Sequence, residues 1–123
     1  MVDMAELRTH SGGCHCRKVR FEVALDLSEP ALTCNCSICS RSGSMLRFVP
    51  SEQFSLKSGE DALTDYRFNT NTIHHLFCSV CGIKSFARGV DRSGNLTCAI
   101  NVRCLDDVDL QTMPTRHVDG KSR

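Results

Sequence analysis

The chain has 123 residues, with 15 Lys and Arg against 14 Asp and Glu, and nine cysteines. With the charges balanced and neither sign gathered into a long block, the composition lacks the electrostatic footprint of a nucleic-acid binder or of a protein that docks on an acidic membrane. The longest apolar runs are a few residues, far below the ~20 that span a bilayer, and the N-terminal Met1-Val-Asp-Met-Ala-Glu-Leu-Arg8 has no apolar stretch of signal-peptide length, so the expectation is a cytoplasmic protein with reduced thiols and a single domain over 1–123, its core at about 10–110.

After the polar start, Cys16 to Leu25 alternates, with Val19, Phe21, Val23 and Leu25 on one face and Lys18, Arg20 and Glu22 on the other. This predicts a half-buried strand. Pro30 breaks it, and Ala31-Leu-Thr-Cys34 reads as a second strand entering a turn, with a loop at Ser40-Arg-Ser-Gly-Ser44. Met45 to Val49 is a third strand ended by Pro50, and Ser51 to Phe54 is at most one helical turn capped by Ser51. Further strands are expected at Phe54 to Lys57, Leu63 to Phe68, Ile73 to Phe77, Lys84 to Gly89 and Leu96 to Val102. Turns fall at Gly59, Asn69 to Asn71, Gly82 and Asp91 to Gly94, and the tail from Gln111 reads as irregular. Short strands at this spacing predict an all-β, antiparallel fold with little helix.

Seven of the nine cysteines fall into three clusters: Cys14-His-Cys16, Cys34-Asn-Cys36-Ser-Ile-Cys39 and Cys78-Ser-Val-Cys81. A disulfide framework is opposed by the odd count and by pairings within a cluster too short to close without strain. Metal ligation accommodates all three, and zinc suits thiolates. On an extended strand Cys14 and Cys16 point to the same side. Cys78-Ser-Val-Cys81-Gly82 reads as a knuckle whose glycine permits a sharp backbone turn. Joining these two pairs gives one closed, structural four-thiol site. The middle cluster supplies three thiols from one strand and turn and lacks an adjacent fourth ligand. Cys98, Cys104, His74 and His75 are the candidates elsewhere, with Cys98 and Cys104 reading better as core residues and the two histidines facing opposite ways. His10 and His117 lie in ends expected to be weakly ordered.

These segments, Gly12-Gly-Cys-His-Cys16 with Val19-Arg-Phe-Glu22, Cys34-Asn-Cys-Ser-Ile-Cys39 and Phe77-Cys-Ser-Val-Cys-Gly82, resemble the glutathione-dependent formaldehyde-activating family. Phe68-Asn-Thr70 and the middle cluster look closest to its centromere protein V-like branch, and Asn101 to Asp106 resembles a recurrent family segment. Arg17 stands where many members have Gly. The resemblance implies a β-tent fold stapled by zinc, two ions per chain. It places Cys14, Cys16, Cys78 and Cys81 on a structural zinc and Cys34, Cys36 and Cys39 on a catalytic one. It further implies a carbon-sulfur lyase that adds glutathione, or a similar thiol, to formaldehyde or a small aldehyde. Asn35, Ser37, Ser40 and Arg41 flank the ligands and are candidates to orient a substrate. The alternative from another class is a non-catalytic zinc-binding module that engages a protein partner; it expects the second site to be empty or closed by a protein ligand.

Overall fold

The computed structural model describes residues 7–68 and 72–122. Ten strands among them form two sheets. The smaller sheet has the order β1-β2-β5, made from β1 (Arg8–Gly13), β2 (Arg20–Leu25) and β5 (Phe54–Ser58). The larger has the order β10-β3-β4-β9-β8-β7-β6. Its strands are β3 (Ala31–Cys34), β4 (Leu46–Pro50), β6 (Leu63–Tyr66), β7 (His74–Cys78), β8 (Phe86–Val90), β9 (Leu96–Asn101) and β10 (Thr115–Val118). Among the described residues no helix is long and apolar enough to cross a membrane.

Strand β2 forms where the alternation of its side chains requires it. Phe21, Val23 and Leu25 are buried, with Val19 just before them, while Arg20, Glu22 and Ala24 are partly exposed between them. Its inner face meets the larger sheet through three phenylalanines. Phe21 of β2 lies 5.4 Å from Phe54 of β5, and Phe54 lies 4.6 Å from Phe86 of β8, measured between ring centroids. Phe21 and Phe86 meet edge-on at 6.2 Å. Tilted and edge-to-face rings at these separations place the positive rim of one against the negative face of another. The trio therefore holds the sheets together with directional as well as hydrophobic contacts.

The expected all-β fold is present, with four differences. The polar start forms β1, paired with β2 from Arg8↔Leu25 to Gly13↔Arg20; it carries no apolar alternation because its buried positions are His10, Gly12 and Gly13. The tail expected to be irregular forms β10, which pairs in parallel with β3, an exception to the antiparallel expectation. Parallel pairing is possible here because a long excursion separates the two strands in sequence. The loop expected from Ser40 is part of α1 (Ser37–Ser42), a short helix with no buried residue and hence no hydrophobic period to betray it. The single helical turn at Ser51–Gln53 is present, but it follows Pro50 and has no side-chain cap, so Ser51 does not fill that role. The turn expected at Asn69 to Asn71, with the Asn69-Thr70 part of the family-like segment, lies outside the described residues.

Asn101, at the end of β9, is buried and satisfies three backbone groups. Its Oδ1 accepts from the N–H of Met45 and of Arg103, and its Nδ2 donates to the carbonyl of Lys84. The Leu105–Asp107 stretch that follows is fastened to the smaller sheet. Asp106 pairs with Arg20 through both carboxylate oxygens and donates its N–H to Ser11 O, and Asp107 pairs with His10 Nδ1 at 3.2 Å. His10 is thus a buried, partnered residue of β1, not part of a loose end.

Phe86 is fully buried and Leu96 is two-thirds exposed. Phe86→Ala is expected to cost about 3–5 kcal/mol of unfolding free energy, and Leu96→Ser to stay within about 0.5 kcal/mol, both read by urea denaturation at fixed metal content.

Candidate metal centre

The four thiols of Cys14, Cys16, Cys78 and Cys81 converge so that their sulfurs all lie within 4.8 Å of one another. Cys14 and Cys16 follow β1 of the smaller sheet, while Cys78 ends β7 of the larger and Cys81 follows it. Cys14 to Cys16 and Cys16 to Cys78 are each 3.6 Å apart. A tetrahedron with metal–sulfur bonds of ~2.3 Å has sulfur–sulfur edges of about 3.8 Å, so the donor set fits a tetrahedral, thiophilic ion and is consistent with zinc.

The first pair does not sit on an extended strand as expected. It lies in the turn between β1 and β2, where Arg17 N donates to Cys14 O and Cys14 N to Val19 O. Arg17 closes this turn with φ +69°, in the left-handed region where a side chain is strained and glycine is not. In the second pair, Gly82 takes φ +81° and donates its N–H to Cys78 O, folding the chain back beneath the two sulfurs. Backbone N–H groups of Val19 and Val80 point at the sulfurs of Cys14 and Cys78, which favours the thiolate form.

Three of the four thiols are shifted, and in opposite directions. Backbone N–H groups of Cys16 and Ile83 bring the Cys81 thiol down to about 6, and that of Cys81 lowers Cys78. Cys16 is pushed up to about 11: a backbone hydrogen bond from Lys18 opposes the shift, while burial and the neighbouring thiols outweigh it. Cys104 stands beside this group without joining it, its thiol pushed up to about 11 by burial and by Cys14 and Cys81.

The sulfurs of Cys34, Cys36 and Cys39 form a second group, again within 4.8 Å of one another and all partly exposed. Cys34 ends β3, Cys36 is the extended N-cap of α1, and Cys39 lies in its first turn. One helical turn places residues three apart on the same side, so α1 is what brings Cys39 back to Cys36. Burial raises the Cys36 thiol, but N–H groups of Cys39 and Ile38 and bonds with the Cys39 and Cys34 thiols bring it below its ordinary value. Burial and the Cys36 thiol push Cys39 up to about 12.

No fourth Cys, His or carboxylate joins these three among the described residues. Cys98 is buried in β9. His74 and His75 do face opposite ways: His74 Nδ1 pairs with Asp65 at 2.7 Å, and His75 is buried beneath Phe68. Beside α1 opens a cleft of about 550 Å³, lined by Ser37, Ile38, Arg41, Ser42, Tyr66 and Phe68. Ser37 and Arg41 are thus where a cleft occupant would meet them, whereas Asn35 and Ser40 are not among its lining residues.

A model of the family described as glutathione-dependent formaldehyde-activating enzyme matches residues 9–120. The chain belongs to this family. It is also similar to a Rhodobacter sphaeroides protein of known crystal structure, with a TM-score of 0.74 and 32% identity, over 86% of this chain and 99% of that one. The C-terminal residues contribute more to the three-thiol group than the sequence disclosed. Asn35 N donates to Val118 O, Asn35 Nδ2 to Asp119 Oδ1 at 2.9 Å, and Lys121 N to Asn35 Oδ1 at 2.9 Å. His117 Nδ1 lies 3.0 Å from Thr33 Oγ1. The hydrogen bonds from Asn35 and Ser122 hold the Asp119 carboxyl below its usual range. A Cβ on Gly120 would lie 2.4 Å from Cys34 Sγ, so the tail passes against the sulfur with no room for a side chain.

Lys84 is the other residue the sequence did not single out. Burial pushes its amine down, while the Cys39 and Cys36 thiols oppose that shift. Its only sequence signal was its position three residues after Cys81.

Gly120→Ala is expected to disturb Cys34 and reduce metal bound by the three-thiol group, so that total metal per chain falls by roughly half if each group holds one ion, while the thermal unfolding transition persists. Elemental analysis together with calorimetry checks this.

Proposed function

We propose that this chain is a zinc-dependent carbon-sulfur lyase of the S-(hydroxymethyl)glutathione synthase type, adding glutathione or a similar thiol to formaldehyde or a small aldehyde. The observation that carries the reading is a three-thiol group with no fourth protein ligand among the described residues, and with an open cleft beside α1. Family membership supports it, since the family description is that of a formaldehyde-activating enzyme. A non-catalytic module whose second site is closed by a protein ligand is disfavoured, since among the described residues no protein group closes it.

In this reading Cys14, Cys16, Cys78 and Cys81 hold a structural zinc that ties the two sheets, and Cys34, Cys36 and Cys39 hold a catalytic one. When bound at the three-thiolate site, zinc keeps an incoming thiol ionised and close to its carbonyl partner. The protein's own residues do the rest. Asn35, clasped by Asp119 and Lys121, fixes the loop between Cys34 and Cys36. Arg41, whose Nη1 donates to Ser37 O, is steadied at the cleft wall with further donors for a ligand carboxylate. Ile38, Tyr66 and Phe68 supply apolar surface for the body of the thiol compound and keep water from part of the cleft.

Mixing the metal-loaded protein with formaldehyde and glutathione, then with other low-molecular-weight thiols, is expected to accelerate hemithioacetal formation, followed by exchange NMR. Cys39→Ser is expected to abolish the acceleration while leaving the fold intact; equal rates for wild type and variant would refute the enzymatic reading. Cys81→Ser is expected to lose the folded state, because metal binding by the four-thiol group is coupled to folding, and circular dichroism reads that loss directly.

A further inference from the structure

A cavity of about 250 Å³ opens between the two sheets, and it shares no lining residue with the cleft beside α1. Phe54 and Leu56 of β5 form one wall, Arg88 and Gly89 of β8 with Leu96, Thr97 and Cys98 of β9 form the other, and Ser51 stands just before β5. Arg88 follows Phe86 by two residues and so lies on the same face of β8, the one turned toward the smaller sheet. Its guanidinium carbon lies 5.8 Å from the ring centroid of Phe54 and 5.4 Å from that of Phe86. Two aromatic rings within about 6 Å attract the cation to their faces, and together they fix a planar fork of donors at the cavity wall.

Arg88 is exposed, and no carboxylate among the described residues pairs with it. Asp65 on β6 is taken by His74 Nδ1 and Arg67 Nε, and Glu22 on β2 by Lys57. Burial pushes the Cys98 thiol up, against the opposing influence of Arg88, so this neighbour is neutral at pH 7 and supplies no counter-charge. Leu96, also in the lining, leaves two-thirds of its surface to solvent. An uncompensated guanidinium held in place and an uncovered apolar side chain thus face one small cavity.

We infer that this cavity binds a small monocarboxylic acid with an apolar body, its carboxylate on Arg88 and its hydrocarbon part against Phe54, Leu56 and Leu96. A guanidinium fork matches a carboxylate with two parallel hydrogen bonds, and Ser51 and Thr97 bring hydroxyl groups that can bond its oxygens. The volume sets the size of the acid, since about 250 Å³ lies below the ~300–1,000 Å³ of sites for drug-sized ligands. The surrounding charge sets the number of carboxylates. A wider groove of about 700 Å³ adjoins the cavity through Ser51, Leu96 and Thr97, and its lining adds Glu52 and Asp91. Two acidic side chains there oppose a second anionic group at the far end of the ligand. This site makes no use of the thiol groups and is independent of the thiol–aldehyde chemistry proposed above.

The test titrates metal-loaded, nitrogen-15-labelled wild type with hexanoate, acetate, hexanol and adipate, followed by NMR. Hexanoate is expected to shift the amide signals of Ser51, Gly89 and Thr97 saturably, with a Kd of about 1 mM or tighter. Acetate, which lacks the apolar body, and hexanol, which lacks the charge, are each expected to bind at least about tenfold more weakly. Adipate, of the same length with a second carboxylate, is expected to bind more weakly than hexanoate. Hexanol or adipate binding as tightly as hexanoate, no saturable shift, or shifts confined to the cleft beside α1 each overturn the inference.

Two variants separate a ligand-binding arginine from one that only covers the core. Arg88→Gln is expected to weaken hexanoate at least about tenfold while leaving hexanol unchanged. Leu96→Ser, at an exposed position, is expected to weaken hexanoate about threefold and to leave acetate unchanged. An Arg88→Gln variant that weakens hexanoate and hexanol alike, or neither, overturns the inference, as does a Leu96→Ser variant with unaltered affinity for hexanoate. If Arg88→Gln does not fold, the four-ligand comparison on wild type decides by itself.

Discussion

Four sulfurs gathered within 4.8 Å, two from each sheet, are the constraint on which the rest of this molecule depends. Cys16 and Cys78 touch across 62 residues of sequence, a closure that chain entropy opposes and that common ligation of one ion would offset. With the turn after β1 held against the turn after β7, the smaller sheet can lie over the larger only one way, and Phe21, Phe54 and Phe86 fill the space so defined. The core is modest, in keeping with a chain of 123 residues. A thiol cluster at one end and an aromatic cluster between the layers divide the work of holding them together.

The second group of thiols is organised on a different principle. All three come from six consecutive residues, so they span no gap between sheets and tie nothing distant together. Their arrangement depends on supports around them: α1 turns Cys39 back toward Cys36, β10 runs beside β3, and the Asp119–Lys121 stretch clasps Asn35. A group supported from outside in this way can leave one side open. A cleft lined by residues of α1 with Tyr66 and Phe68 opens beside it.

Strand β2 was legible because burial on one face imposes a period of two, which survives in the sequence as Val19, Phe21, Val23 and Leu25. Strand β1 was not, since its buried positions are His10, Gly12 and Gly13, which leave no hydrophobic period. The helix α1 was hidden for a related reason: none of its residues is buried, so nothing in Ser37–Ser42 separates a helix from a loop. The C-terminal strand consists of Thr115, Arg116, His117 and Val118, mostly exposed, and its stability comes from β3, which no local pattern announces. Arg17 was visible as a departure from the family but not as a left-handed residue, a fact that belongs to the turn geometry.

From the sequence by itself came the grouping of the thiols, the β character of the chain and the family to which it belongs, because these reside in spacings of two or three residues and in side-chain alternation along single strands. The tertiary structure decided that the group of three acquires no fourth protein ligand among the described residues, and that Asp119 and Gly120 pass against it. Asn35 meets Asp119 across 84 residues, and strand pairing, not local spacing, sets such distances. A partner brought in by sheet topology leaves no mark on the sequence around the residue it serves.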